Sequence, residues 1–260
     1  MHIGSNPAVT SISTADAVSV TVRGLDLADQ LIGHCGFSAF YFLLVTGRHP
    51  NDAEQRLLDA TLVAIAEHGM TPSVLAARMT LAAAPEALQG AVAAGIVGCG
   101  SKILGTASEA AQFLQAGVAA VGGDPTRLPD QALSEINRLR SARMLLPGFG
   151  HPLHREGDPR ARRLFALAEE LGTAGLHCSY ARALEQAAGE VFGRKMVLNV
   201  SCAIPAVLLD VGFPVQAMRG IPILARTAGL LAHLVEEMDK PAGFALAAAA
   251  AEAAVYVAGE

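Results

Sequence analysis

Arginine and histidine are unevenly spread along this chain, and their pattern is that of an anion-handling site. Seven arginines stand between Arg138 and Arg163 (138, 140, 143, 155, 160, 162 and 163), with His151 and His154, against only Glu156 and Asp158. Arginine's rigid fork suits carboxylate and phosphate, each of which accepts two parallel hydrogen bonds. Arg138, Arg140, Arg162 and Arg163 read equally well as a solvated helix face, and His154 as a solvent-facing ring. Arg155 and Arg160 differ, because both follow Pro147-Gly148-Phe149-Gly150-His151. Glycines on either side of Phe149 permit backbone angles closed to other residues, so the main chain can approach a ligand closely.

Two further constellations carry potential chemistry. Arg226 and His233 lie two turns apart in an otherwise apolar stretch and share one helix face. A buried arginine needs an anion, either a structural pair with Glu236 or Glu237 or a substrate carboxylate. In Glu67-His68-Gly69-Met70-Thr71-Pro72-Ser73 a histidine sits at a helix junction, where it caps a helix end or turns its ring toward a ligand. No His–carboxylate cluster has metal-ligand spacing, and no metal is expected.

Helices must position these groups. Hydrophobic residues make up 52% of the 260, much of that alanine, with 5% aromatics and no tryptophan. That composition favours packed helices over sheets, and the fold class is all-α. Helical patterning is predicted over 26–32, 37–45, 52–67, 73–84, 86–98, 107–121, 130–143, 159–171, 177–192, 203–211, 222–237 and 242–257. Residues 1–16 read as a loose arm, and Val-Ser-Val-Thr-Val at 18–22 as one short strand or hairpin. A single domain over 1–260 is expected, with a smaller helical lobe at about 150–240.

The net charge of -5 offers no field for nucleic acid. The polar residues 1–15 lack the pattern of a signal peptide, and 242–258 reads as a buried helix, not a membrane span. Cys35, Cys99, Cys178 and Cys202 are scattered without a C-x-x-C pair, consistent with free thiols in a reducing cytoplasm.

In order along the chain, "VRGLDLADQL", "EHGMTPSVLAARM", "LPGFGHPLHREGDPRA", "LNVSCAIPAVLLDVGFP" and "ARTAGLLAHLVEE" followed by "DKP" resemble the citrate synthase superfamily, most nearly its short citryl-CoA lyases. The loop at 148–160 and the helix at 226–233 are the specific motifs. The resemblance implies a citrate synthase-like helical fold and a carbon–carbon lyase that cleaves citryl-CoA, or a related 3-hydroxyacyl-CoA, to acetyl-CoA and oxaloacetate. It implies that His151, the expected base, contacts the oxygen at the bond that breaks, that His68 hydrogen-bonds the same oxygen or a neighbouring carboxylate, and that Arg160 and Arg226 hold carboxylates. Gly148, Phe149, Gly150 and Arg155 would touch CoA. Lys240 stands where the family often places an arginine that reaches the neighbouring subunit. A homodimer or homotetramer with shared sites follows by analogy. CoA enters as part of the substrate, and no permanently bound cofactor is expected. The partners are acyl-CoA and di- or tricarboxylates, with no nucleic acid and no membrane.

Two departures qualify that inference. Where citrate synthases read His-Gly-Gly-Ala-Asn, this chain has Leu104-Gly105-Thr106-Ala107-Ser108. Loss of that histidine, together with the short length, points toward cleavage, as in the lyase module of ATP-citrate lyase. Ser201 also stands where the family's catalytic aspartate belongs, after Asn199-Val200. A serine hydroxyl cannot move a proton on or off the acetyl methyl carbon unaided, and losing a positioned acid or base costs a factor of about 10²–10⁴. Two alternatives follow: a condensing enzyme for another 2-oxo acid, and a non-catalytic member that binds CoA or a tricarboxylate.

Overall fold

The computed structural model describes residues 9–100, 104–150 and 156–257. Helices dominate it, as the alanine-rich composition predicts. The chain divides into two compact units, 1–59 and 60–260.

The smaller unit opens with a three-stranded antiparallel sheet: β1 (Ser13–Ala15), β2 (Val20–Val22) and β3 (Leu25–Asp26). Part of the expected loose arm is therefore paired, with Ser13 opposite Val22. Asp16 explains the turn, since its Oδ1 accepts from the backbone N–H groups of Val18 and Ser19, each at 2.8 Å. The stretch expected to be helical at 26–32 forms one wide π-type turn, Leu27–Leu31, capped by Asp26. Val22, Leu31 and Leu43, on β2, the turn and α1 (Phe37–Thr46), form its core. Helix α2 (Asp52–Ala66) carries the chain into the larger unit.

The larger unit contains α3 (Pro72–Ala83), α4 (Leu88–Val97), α5 (Thr106–Ala120), α6 (Leu128–Ser141), α7 (Pro159–Glu170), α8 (Leu176–Phe192), α9 (Val200–Asp210), α10 (Gly220–Asp239) and α11 (Gly243–Ala253). They pack in two groups. Helices α3, α4, α10 and α11 rest on one another around Val74, Ala77, Leu81, Ala91, Leu230 and Leu234. Helices α5 to α9 form the second group, with α9 packed against α5, α7 and α8.

Close approach needs small residues. A Cβ on Gly117 in α5 would lie 2.0 Å from the Tyr180 ring of α8, so only glycine lets these helices touch. Gly229 in α10 does the same for the Ala66 carbonyl, 2.0 Å from where its Cβ would be.

Two helix ends differ from the sequence expectation. Helix α9 begins at Val200 because the Asn199 side chain accepts the Ser201 N–H at 2.9 Å, an N-cap that starts the helix one turn early. Helix α11 ends at Ala253, before Val255-Tyr256-Val257, whose branched and aromatic side chains favour helix least in that stretch.

Candidate functional site

The glycine loop and the start of α9 are tied into one platform. Phe149 and Leu198 form an antiparallel bridge. Gly150 N donates to the Val197 carbonyl at 2.7 Å, and Asn199 N to the Gly148 carbonyl at 3.0 Å. The Asn199 side chain completes the tie by donating Nδ2 to the Gly150 carbonyl at 2.6 Å. Gly148 is left-handed at φ +78°, and a Cβ there would sit 2.5 Å from Cys202 Cβ and 2.8 Å from Cys202 N. Backbone angle and space both demand glycine. The close approach anticipated for this loop is thus first an approach to α9. Ser201 lies half-buried in the first turn of α9, beside this loop. Pro205, one turn on, has no N–H to give to the Ser201 carbonyl.

Helix α7 joins the platform through Asp158, its N-cap. The Asp158 carboxylate is fully buried and accepts four hydrogen bonds. Oδ1 takes the Arg160 N–H and Nε–H, each at 3.0 Å. Oδ2 takes Arg160 Nη2–H at 2.9 Å and Val200 N–H at 3.0 Å. Burial pushes this carboxyl up, but the Arg160 guanidinium and the backbone donors outweigh burial and hold it below the usual carboxylate range. Arg160 keeps its Nη1 edge free of Asp158, with one-fifth of its side chain exposed.

The other arginines of the basic run are engaged differently. Arg138 pairs with Glu135, Arg163 with Glu170, and Arg140 donates to the Val191 carbonyl, all at exposed sites. The solvated-face reading holds for these three. A cleft of about 530 Å³ adjoins the platform, lined among others by Asp158, Arg162, Glu185, Glu190, Lys195 and Leu198.

A second constellation sits where α2 ends against α10. His233 Nε2 lies 2.9 Å from Glu67 Oε2, and Glu67 also accepts the backbone N–H groups of His68 and Gly69. One carboxylate therefore shapes the half-buried His68 corner and fixes it to α10. Arg226, on the same face of α10 as His233, is 9% exposed. Its Nη1 is buried with no hydrogen-bond partner among the described residues. Glu236 and Glu237, its two candidate structural partners, are taken by Arg78, whose Nη1 and Nε reach them at 2.9 and 2.6 Å. Of the two readings open in the sequence, the structural pair is therefore removed. A buried guanidinium nitrogen without an acceptor is costly, and it points to an anion that arrives with a ligand.

Lys240 caps the C-terminal end of α10 with its side chain exposed, while its carbonyl accepts Arg78 Nη2 at 3.2 Å. His151 and Arg155 lie outside the described residues. Leu104 is buried, so the position that carries histidine in citrate synthases belongs here to the apolar core. Asp210 is no substitute for the missing acid. Its carboxylate accepts the backbone N–H groups of Gly175, His177 and Cys178 and contacts His177 Nδ1, closing the start of α8. Asp158 is spent in the same way. Asp158 and Glu67 are the members that sequence reasoning passed over. Asp158 was legible as an N-cap before Pro159, but nothing in the sequence pairs Glu67 with His233.

Among the described residues no group of three His, Cys, Asp or Glu side chains is placed to hold a metal, and no helix is long and apolar enough to cross a membrane.

Comparison with known proteins gives these positions a context. The family model of the citrate synthase C-terminal domain matches residues 34–243. A citryl-CoA lyase from Hydrogenobacter thermophilus superposes with a TM-score of 0.87 at 30% identity, covering 98% of this chain and 96% of that one. An ATP citrate lyase from Methanothrix soehngenii, solved with citrate and coenzyme A, shares the fold with a TM-score of 0.76 at 18% identity, covering 99% of this chain and 42% of that one. The citrate synthase of Haloferax volcanii is 27% identical over 214 residues, 81% of this chain. The chain spans 53% of that relative's length.

Proposed function

The chain belongs to the citrate synthase C-terminal domain family, and from that premise we propose that it is a carbon–carbon lyase acting on citryl-CoA or a closely related 3-hydroxyacyl-CoA. The observation that carries the reading is the buried Arg226 Nη1 without an acceptor, on a chain that matches a citryl-CoA lyase over nearly the full length of both. Citryl-CoA brings two free carboxylates, and Arg160, whose Nη1 does not meet Asp158, is the second guanidinium available to hold one.

In the proposed reaction His151 removes the proton from the tertiary hydroxyl. The carbon–carbon bond then breaks, leaving oxaloacetate and the enolate of acetyl-CoA, and the enolate carbon takes up a proton. His68, on the corner shaped by Glu67, donates to the oxygen at the cleaved bond. Two arginines that fix the carboxylates hold the fragment in the geometry of departure, and such positioning supplies a large part of the barrier reduction. The acetyl enolate receives its proton from a water held by the Ser201 hydroxyl, a slower route than a positioned carboxyl. CoA lies along the Gly148–Gly150 backbone and Arg155. A cytoplasmic homo-oligomer in which Lys240 reaches a neighbouring site belongs to the same proposal, as does a smaller helical lobe over about 150–240.

Serine at 201 favours one competing reading, a member that binds CoA or a tricarboxylate without turnover. Incubation of the pure protein with citryl-CoA, followed by mass analysis of the acyl-CoA products, separates the two. Acetyl-CoA appears if the lyase reading holds. Intact citryl-CoA, together with thermal stabilisation by CoA, establishes the binding reading.

A further inference from the structure

We propose that Asp158 is a positioning residue of this site: its buried carboxylate orients the Arg160 guanidinium toward the substrate and locks that orientation to the start of α9. The inference rests on the reading of Arg160 as a carboxylate clamp and goes beyond it by naming what aims the clamp.

What sets this pair apart is a two-oxygen grip by a fully buried carboxylate that also accepts a backbone N–H of α9. Asp158 presents both oxygens to Arg160, Oδ1 to Nε and Oδ2 to Nη2, at 3.0 and 2.9 Å. A guanidinium held along its Nε–Nη2 edge cannot rotate without breaking two bonds, and its Nη1 end is left pointing away from Asp158. The side chain of Asp158 is fully buried while that of Arg160 is one-fifth exposed, so the grip is anchored on a buried group. Arg138 grips Glu135 through the same Nε and Nη2 atoms, at 2.9 and 2.6 Å, but at an exposed site. Arg138 and Arg163 pair with Glu135 and Glu170 through side chains that are more than half exposed on the arginine side, where an ion pair restrains little.

The second function of the carboxylate is to connect elements. Oδ2 accepts the Val200 N–H at 3.0 Å, one residue before Ser201, and the Asn199 next to it ties the Gly148–Gly150 loop. One side chain thus sets the clamp, the first turn of α9 and, through Asn199, the glycine loop in a common frame. A neutral amide at 158 offers one acceptor oxygen where four donors now converge, and its NH2 opposes either Nη2 or the Val200 amide.

The test is a double-mutant cycle on citrate affinity, measured by calorimetry on the full chain with Asp158→Asn, Arg160→Ala and both together. Asp158→Asn is expected to weaken citrate binding at least tenfold. Because the loss acts through Arg160, the double variant should bind no more weakly than Arg160→Ala alone. Asp158→Ser guards against a folding defect, since serine keeps the N-cap of α7 but loses the two-oxygen grip. It is expected to keep the wild-type circular dichroism spectrum and to bind citrate as poorly as Asp158→Asn. Additive losses, or wild-type citrate affinity in Asp158→Ser, overturn the inference while leaving the clamp intact. Wild-type affinity in Arg160→Ala is a different outcome: it removes the clamp reading itself, and this inference falls with it.

Discussion

Replacing Arg226 by methionine should make the unliganded protein more stable and at the same time blind to citrate. Arg226 is 9% exposed, with Nη1 buried and without an acceptor, and Glu236 and Glu237 are committed to Arg78. A buried charge without its counter-ion costs the folded state several kcal/mol, and exchanging such groups for apolar side chains of similar volume commonly gains about 1–4 kcal/mol. Part of the guanidinium keeps some water, so a gain of about 1–2 kcal/mol is expected for Arg226→Met. At about 2–4 °C per kcal/mol for a unit of this size, Tm should rise by roughly 2–8 °C. Citrate at a hundredfold excess over its Kd should stabilise the wild type by about 2.7 kcal/mol, and this increment should be absent from the variant. Thermal denaturation of both proteins, with and without citrate, reads all four numbers. A variant less stable than the wild type that keeps the full citrate increment would refute the reasoning, because Arg226 would then have a structural partner.

Other perturbations test separate parts of the account. Gly148→Ala should destabilise by several kcal/mol in urea denaturation, since its Cβ would press on Cys202 at a φ of +78°, combining overpacking of about 1–3 kcal/mol with backbone strain of about 1–2 kcal/mol. Glu237→Gln should cost about 3–5 kcal/mol by the same assay, because Arg78 and Glu237 are both nearly fully buried and the arginine would lose its main counter-charge. Asp158, Asp210 and Glu237 are each held below the usual carboxylate range: burial pushes all three up, and their hydrogen bonds and charged partners more than reverse it. Their depressed values contribute stability that is complete above about pH 4.5 and is lost as pH falls through the lower folded-state values, so a Tm–pH profile should drop steeply below about pH 4. Ser201→Asp should raise citryl-CoA turnover, toward the ~10²–10⁴ that a positioned acid supplies, in a stopped assay of acetyl-CoA.

Much of this was legible in the sequence because it is written in local periodicity. Alanine-rich segments with glycine or asparagine at their ends became helices close to the predicted boundaries. The exceptions have local causes. Asn199 starts α9 at Val200, and the weak helix formers after Ala253 end α11. The site was harder to read, because its decisive contacts join residues far apart in the chain. Arg226 could not be separated from a structural pair until Arg78 was seen to occupy Glu236 and Glu237 from the opposite helix. Glu67 gave no sign that its partner was His233, since a carboxylate two turns of chain earlier would have looked the same. Asp158, counted at first only as an acid diluting a basic run, proved to organise that run.

The proposal is that His151, His68, Arg160 and Arg226 together hold citryl-CoA while its carbon skeleton is cleaved. Release of oxaloacetate from citryl-CoA, followed by its enzymatic reduction with NADH, measures this most directly. The account predicts steady release by the wild type, loss of at least a hundredfold in His151→Ala, and no detectable release in Arg226→Met. Wild-type protein that binds citryl-CoA yet returns it unchanged, or His151→Ala that turns over like the wild type, would contradict it.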